Sequence, residues 1–265
     1  MPPRNPARIS RRPLAGPRTV MALVLREMAT SYGRSPGGYL WAVLEPVAGI
    51  ALLTLVFSLV LRAPGLGSNF ALYYATGMLP FTTFMAISAK VAQALNFSRQ
   101  LLAYPVVTWL DAVLARFLLT ALTEFMVAFL VLAGILMAFD TRVIPDWPVI
   151  LRAMGLAALL GLGVGVLNCF LMTRWPLWQR VWSVLMRPMF LISGIFFLFE
   201  TVPEPFRSLL WFNPLLQVVG LMRRGFYTGY EAAHVSETYV LGLAGLLLLA
   251  GLLLLRRSSR FLLQL

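Results

Sequence analysis

Between Glu45-Pro46 and Arg62 the chain reads VAGIALLTLVFSLVL, fifteen residues without a charge. A helix of about 20 mostly apolar residues crosses roughly 30 Å of hydrocarbon, and runs of this kind recur along the sequence. Six stretches qualify or nearly qualify: about 41–62, 70–92, 111–139, 149–173, 181–199 and 238–256. Only 12% of the 265 residues are charged and 60% are hydrophobic, where ordinary domains carry about a quarter charged residues. The expectation is an all-α integral membrane protein with six transmembrane helices. Gly77 and Pro80 predict a bend in the second span, and Gly161 and Gly165 give the fourth a small-xxx-small face for close helix contact.

The net charge of +12 would point to nucleic acid in a soluble protein. Here the basic residues sit beside apolar runs, so membrane orientation explains them better and no nucleic-acid partner is expected. With the N-terminus inside, the cytoplasmic side takes the arginines at 4, 8, 11, 12, 18, 26 and 34, then Lys90, Arg99, Arg174, Arg180 and Arg187, and Arg256, Arg257 and Arg260 at the tail. The outside takes Arg62, Arg142, Arg207, Arg223 and Arg224. This bias places both termini in the cytoplasm of a multi-pass protein. Asp140, Asp146, Glu200, Glu204, Glu231 and Glu237 fall outside, which is consistent but weighs little.

Residues 1–17, MPPRNPARISRRPLAGP, read as a disordered basic cytosolic arm, and 18–265 as one membrane domain. In the stretch 18–35 Val20, Met21, Val24, Leu25 and Met28 share a helical stripe opposite Thr19, Arg26 and Thr30. That pattern predicts an amphipathic helix lying in the membrane interface. Pro36-Gly37-Gly38 supplies the elbow into the first span, Trp41 an aromatic anchor, and Glu45 a carboxylate one turn deeper. The segment is either a plain anchor or a handle that another subunit grips.

Catalytic patterns are missing. The chain has no GxxxxGK[ST] loop, GxSxG elbow or HExxH helix. It is therefore not expected to be an enzyme or to hold a cofactor or metal of its own. One cysteine, Cys169, excludes an intrachain disulfide and reads as a small core residue. His234 reads as an incidental loop histidine.

Other residues leave two readings open. Glu124, in the third span, costs about 2.5–3.5 kcal/mol on insertion scales and either bonds a neighbouring helix or lines a pathway. Arg116 lies near enough the cytoplasmic end to snorkel. Trp175, Trp178 and Trp182, at i, i+3 and i+7 among Arg174, Arg180 and Arg187, form either an aromatic belt or a gate where indoles stack on sugars. Tyr73 and Tyr74 share that ambiguity. From Glu200 to Glu237, apolar runs too short to span are broken at Asn213-Pro214 and followed by Arg223-Arg224, which suggests re-entrant or interfacial pieces between spans five and six.

YGRSPGGYLWAVLEP (32–46) resembles the N-terminal signature of permease subunits of type-2 ABC exporters, in particular those exporting capsular polysaccharide, with Gly37 where the family often carries a larger residue. TGMLPFTTF (76–84) and NFSRQLLAYPVVTWLDAVLAR (96–116) are similar to the family's TGILPF and N…LLxYPxVxxxDxxxAR segments, so the likeness runs along essentially the whole chain. The resemblance implies a bacterial inner-membrane permease that moves lipid-linked, often acidic, polysaccharide. It further implies a second copy of the chain, two ATPase subunits that carry ATP and Mg2+, membrane lipids, and periplasmic and outer-membrane export proteins as partners. It makes Arg26, Glu27, Arg34, Arg99, Leu102, Tyr104 and Pro105 candidates for coupling to the ATPase. Pathway candidates are Trp41, Glu45, Tyr73, Tyr74, Glu124, Trp175, Trp178, Trp182 and Arg187. Asn213, Arg223 and Arg224 are candidates for an external gate built from two short helices. Alternatives are the same architecture with O-antigen, teichoic acid, lipid or drug as cargo, an integral membrane enzyme, or a passive scaffold.

Overall fold

The computed structural model describes residues 15–31, 38–99 and 107–262. Their regular elements are helical: α1 (Ala15–Ser31), α2 (Gly38–Val60), α3 (Phe70–Ala92), α4 (Ala94–Phe97), α5 (Trp109–Ala138), α6 (Trp147–Arg174), α7 (Leu177–Ile192), α8 (Phe206–Leu210), α9 (Pro214–Phe226) and α10 (Glu237–Leu262), with a 3-10 turn at Phe199–Thr201. Helix starts follow local chemistry, because the first N–H groups of a helix need side-chain acceptors. Asn69 accepts from Leu72 N at 3.0 Å and opens α3. Thr108 and Asp111 form a reciprocal capping box on α5. Asp146 and Asn213 cap α6 and α9, each followed within two residues by a proline that needs no N–H partner there.

The core is α3 and α6. In each, 72% of the most apolar stretch is buried, against 11% in α2, so α2 lies at the edge with Leu52, Leu55 and Leu59 uncovered. Helix α6 is held between α3 and α10 by close backbone approach on opposite faces. A Cβ on Gly165 would lie 2.8 Å from Val91 Cβ, and one on Gly163 only 2.5 Å from the Ala244 carbonyl oxygen. The expected small-residue face thus meets α3, and a second one meets α10. Helix α3 runs unbroken through Gly77 and Pro80.

Neighbour contacts fix direction. Gly161 faces Phe84, and Gly165 faces Ser88 and Val91, so α3 and α6 run parallel. Arg152 meets Glu237 at 3.0 Å, Gly163 meets Ala244 and Gly251 meets Val166, so α6 and α10 also run parallel. Gly49 meets Met78 and Phe57 meets Tyr74, which makes α2 antiparallel to α3. The end where α3, α6 and α10 finish also carries α1 and is called proximal; the other end is distal.

Five described helices are long and apolar enough to cross a membrane: Leu40–Val60, Phe70–Ala92, Trp109–Ala138, Trp147–Arg174 and Glu237–Arg257. The stretch expected to span at 181–199 departs from this. It forms the 16-residue α7, which ends at Ile192 and gives way to a non-helical run before the 3-10 turn. At about 1.5 Å per residue such a helix falls short of the roughly 30 Å of a bilayer core. Because α6 ends proximally and α10 begins distally, the chain between them still returns along the bundle. Short helices do occupy the expected place between this stretch and the last span, as α8 and α9.

Candidate functional site

At the proximal end, Arg116 of α5 is 5% exposed and binds Glu27 of α1 through Nε at 2.9 Å from Oε1. Its Nη1 donates to the Lys90 carbonyl at the end of α3 (3.0 Å), and its guanidinium lies 4.0 Å over the Phe97 ring of α4. One side chain thus joins four elements. The sequence reading of Arg116 as a snorkelling residue is corrected, since a carboxylate delivered by α1 lets the charge stay inside. Burial raises the Glu27 pKa from 4.5 and Arg116 opposes that rise. The apolar side of α1 carries Met21, Leu25 and Met28 uncovered by protein, as expected of a helix resting on lipid with its acid turned inward. Arg26 and Arg99 are exposed at this end. Arg34, Leu102, Tyr104 and Pro105, residues 1–14 of the expected arm and the Pro36-Gly37 part of the elbow lie outside the described residues, while residues 15–17, expected in the disordered arm, form the first turn of α1.

Between α2, α3 and α5 opens a cleft of about 520 Å³ lined by Trp41, Glu45, Thr82, Lys90 and Glu124 among methionines and alanines. Three expected pathway residues, Trp41, Glu45 and Glu124, are thereby brought together with the chain's one lysine. Among the described residues no hydrogen bond or ion pair ties either carboxylate to a neighbour, and both line the cleft. Sequence reading passed over Lys90 and Thr82 here. Their recurrence every four residues along α3, with Met78 and Ala86, marks one helix face and could have flagged them.

At the distal end α9 is pressed into the bundle against α3, α6 and α10. Arg223, 2% exposed, donates through Nη1 to Phe197 O and through Nη2 to Ile195 O, both at 3.0 Å, and sits 4.3 Å over the Tyr73 ring. Those carbonyls belong to the non-helical run after α7. Arg223 supplies donors that a helix would have supplied, which is how irregular backbone is tolerated at depth. Arg224 points the other way and is exposed. Asn213 caps α9 and donates its amide to Ile192 O at 2.9 Å, tying α9 to the end of α7. Tyr73 and Tyr74 are buried in an aromatic cluster with Phe57, Phe70 and Phe196 rather than facing open space.

His234 is no incidental loop histidine. It is 9% exposed, stacks on Phe199 at 4.3 Å and meets Glu200 through Nδ1 at 3.2 Å. Burial lowers its pKa from 6.5, the Glu200 carboxylate resists, and Arg223 adds to the lowering.

The three tryptophans do not form one stripe, because α7 starts after Trp175. Trp175 packs edge-on to Phe170 beside Arg174, Trp178 donates to Asn168 Oδ1 at 2.9 Å, and Trp182 packs against the core cluster that includes Phe81 and Phe84. Arg187 is exposed on α7. Cys169 is buried at the proximal end. Among the described residues no group of three or more His, Cys, Asp or Glu side chains gathers to hold a metal. The arrangement comprises a peripheral helix linked by charge to the core, a polar cleft between α2, α3 and α5, and a distal helix pinned by Arg223.

Residues 18–227 match the family described as ABC-2 type transporter. The polysialic acid transport protein KpsM of Escherichia coli is 32% identical over 238 residues, 90% of this chain and 92% of that protein. The capsule polysaccharide export inner-membrane protein CtrC of Neisseria meningitidis serogroup A is 26% identical over 247 residues, 92% of each chain. The O-antigen export system permease protein RfbA of Klebsiella pneumoniae is 22% identical over 230 residues, 84% of this chain and 86% of that one.

Proposed function

The chain belongs to the ABC-2 type transporter membrane family, and we propose that it is the permease through which a bacterium exports capsular polysaccharide across its inner membrane. The observation that carries this reading is the match to a polysaccharide transport protein over nine-tenths of both chains. We infer further that the cargo is lipid-linked and acidic, that two copies of the chain enclose its path, and that two ATPase subunits below bind ATP and Mg2+ and drive it.

The proximal end is then cytosolic, where Arg26, Lys90, Arg99, Arg174, Arg256 and Arg257 gather, with both termini on that side. The chain crosses six times, its fifth crossing made by α7 together with the non-helical run that Arg223 satisfies. Movement imposed by the ATPase on α1 passes through Glu27–Arg116 to α5 and to the end of α3 at once, because a buried ion pair breaks only at high cost. Trp41, Glu45 and Glu124 stand on the flank between moving α2 and the core, where a lipid-anchored glycan would meet polar groups. The cap made by α8 and α9 dips into the membrane and closes the far side, and periplasmic and outer-membrane export proteins would receive the cargo there.

A strain deleted for this chain should lose its surface polysaccharide and regain it with the wild-type copy, while the tagged protein co-purifies with an ATPase. Unchanged surface glycan after deletion would refute the reading. The similarity to an O-antigen export permease favours O-antigen as a second cargo, distinguished by which surface glycan disappears.

A further inference from the structure

The distal end carries a groove of about 570 Å³ between the turns 66–68, 141–144 and 226–230, away from the cleft at the flank. We propose that this groove binds an acidic saccharide. On the export reading, on which the source of the ligand rests, that saccharide is a segment of the emerging cargo.

The lining is specific. Tyr227 and Tyr230 contribute rings, Ser68, Thr141 and Thr228 hydroxyls, and Arg142 a guanidinium, with no carboxylate among the lining residues. Tyr227 is 8% exposed, and its hydroxyl is buried without a hydrogen-bond partner. Buried polar groups are nearly always paired, and a small shift of the groove wall that admits a saccharide hydroxyl would pair this one. The Tyr227 ring is fixed against Gly67, where φ is +68° and a Cβ would come within 2.7 Å of the ring. Arg142 holds a left-handed backbone (φ 51°) that non-glycine residues rarely adopt. Its contact with Asp140 spans 3.4 Å between two exposed groups, a weak pair that a ligand carboxylate can replace. Tyr230 spends its hydroxyl on Glu200 at 3.1 Å, which leaves its ring to the groove.

Sugars offer these walls what they lack: C–H faces for the rings, hydroxyls for the buried phenol, and an acid for the guanidinium. A hydrocarbon chain would leave the hydroxyls unpaired, and a nucleic-acid backbone would find one cation. The volume lies inside the roughly 300–1,000 Å³ typical of small-molecule sites.

The test titrates the purified full-length chain in detergent with short sialic acid oligomers, and with glucose oligomers of equal length, by calorimetry. The acidic oligomer should bind at least about tenfold tighter than the neutral one. Arg142→Gln should weaken it about tenfold, and Tyr227→Phe several-fold. Arg142 is exposed, so its replacement does not endanger folding and keeps the test decisive if the Tyr227 variant is unstable. Absent binding, equal affinity for both oligomers, or an Arg142→Gln affinity equal to wild type overturns the proposal. Retained surface glycan in the deletion strain would sink the export reading alone, since the titration needs no export.

Discussion

A guanidinium inside a membrane bundle needs its N–H groups answered, and Arg116 and Arg223 are answered by different means. Arg116 receives a carboxylate from another helix, whereas Arg223 receives two carbonyls left over where a helix stops. The two should respond differently to mutation. Glu27→Ala strands a buried cation and should cost about 3–5 kcal/mol, most of it recovered when Arg116→Leu is added. A double-mutant cycle on thermal unfolding in detergent reads this directly, and an additive cycle would mean the pair is not coupled. His234 gives a pH prediction at the same scale. Its pKa is lowered in the folded cap relative to the ordinary 6.5. The open state therefore takes the proton first, so stability is full above that value and is lost as pH falls through the lowered one. Proteolysis of the 199–204 turn should speed up between about pH 8 and about pH 5, and His234→Gln should flatten the profile. An unaltered profile in that variant would assign the effect elsewhere.

Some helices of this bundle approach closely at glycines, and that has a paired consequence. Gly165→Ala places a methyl 2.8 Å from Val91 Cβ, while Gly155→Ala in the same helix meets nothing within 4 Å. The first should destabilise by about 1–3 kcal/mol through overpacking, and the second should be neutral or gain up to about 1 kcal/mol from helix propensity. Thermal melts of the two variants compare them, and equal melting temperatures would refute the close α3–α6 approach. The same contrast explains what was legible beforehand. Long apolar runs announce spans because hydrocarbon demands them, and Gly161–Gly165 announced a contact face. That the stretch 181–199 would divide into the short helix α7 and an irregular run was not legible, because both share one apolar stretch. The partners of Arg116 and Arg223 lie far off in sequence, where no periodicity reaches, so Arg116 looked like a snorkelling anchor and Arg223 and Arg224 shared one candidate role. Glu45 and Glu124 were legible singly, as charges in apolar surroundings, but their meeting with Lys90 depends on how α2, α3 and α5 pack.

At the scale of the molecule, direction decides topology more firmly than helix length does. Helices α6 and α10 run parallel, Arg152 beside Glu237 at their starts and Gly251 beside Val166 further along. A chain that leaves α6 at one end and enters α10 at the other has to return, and the 16-residue α7 plus the run pinned by Arg223 is what joins the two ends. Cys169 is the single cysteine and is buried, so single-cysteine variants can be read against a quiet background. Gln179→Cys and Arg257→Cys should react with a membrane-impermeant maleimide only after the cells are permeabilised. Thr228→Cys should react in intact spheroplasts. All three native residues are exposed, so lack of reagent access would come from the bilayer and not from the fold. Labelling of positions 179 and 228 from the same side would mean that the return leg never crosses, and α7 would then have to lie along the surface. Labelling of 179 and 257 from opposite sides would break the parallel relation of α6 and α10 that their glycine contacts and the Arg152–Glu237 pair define.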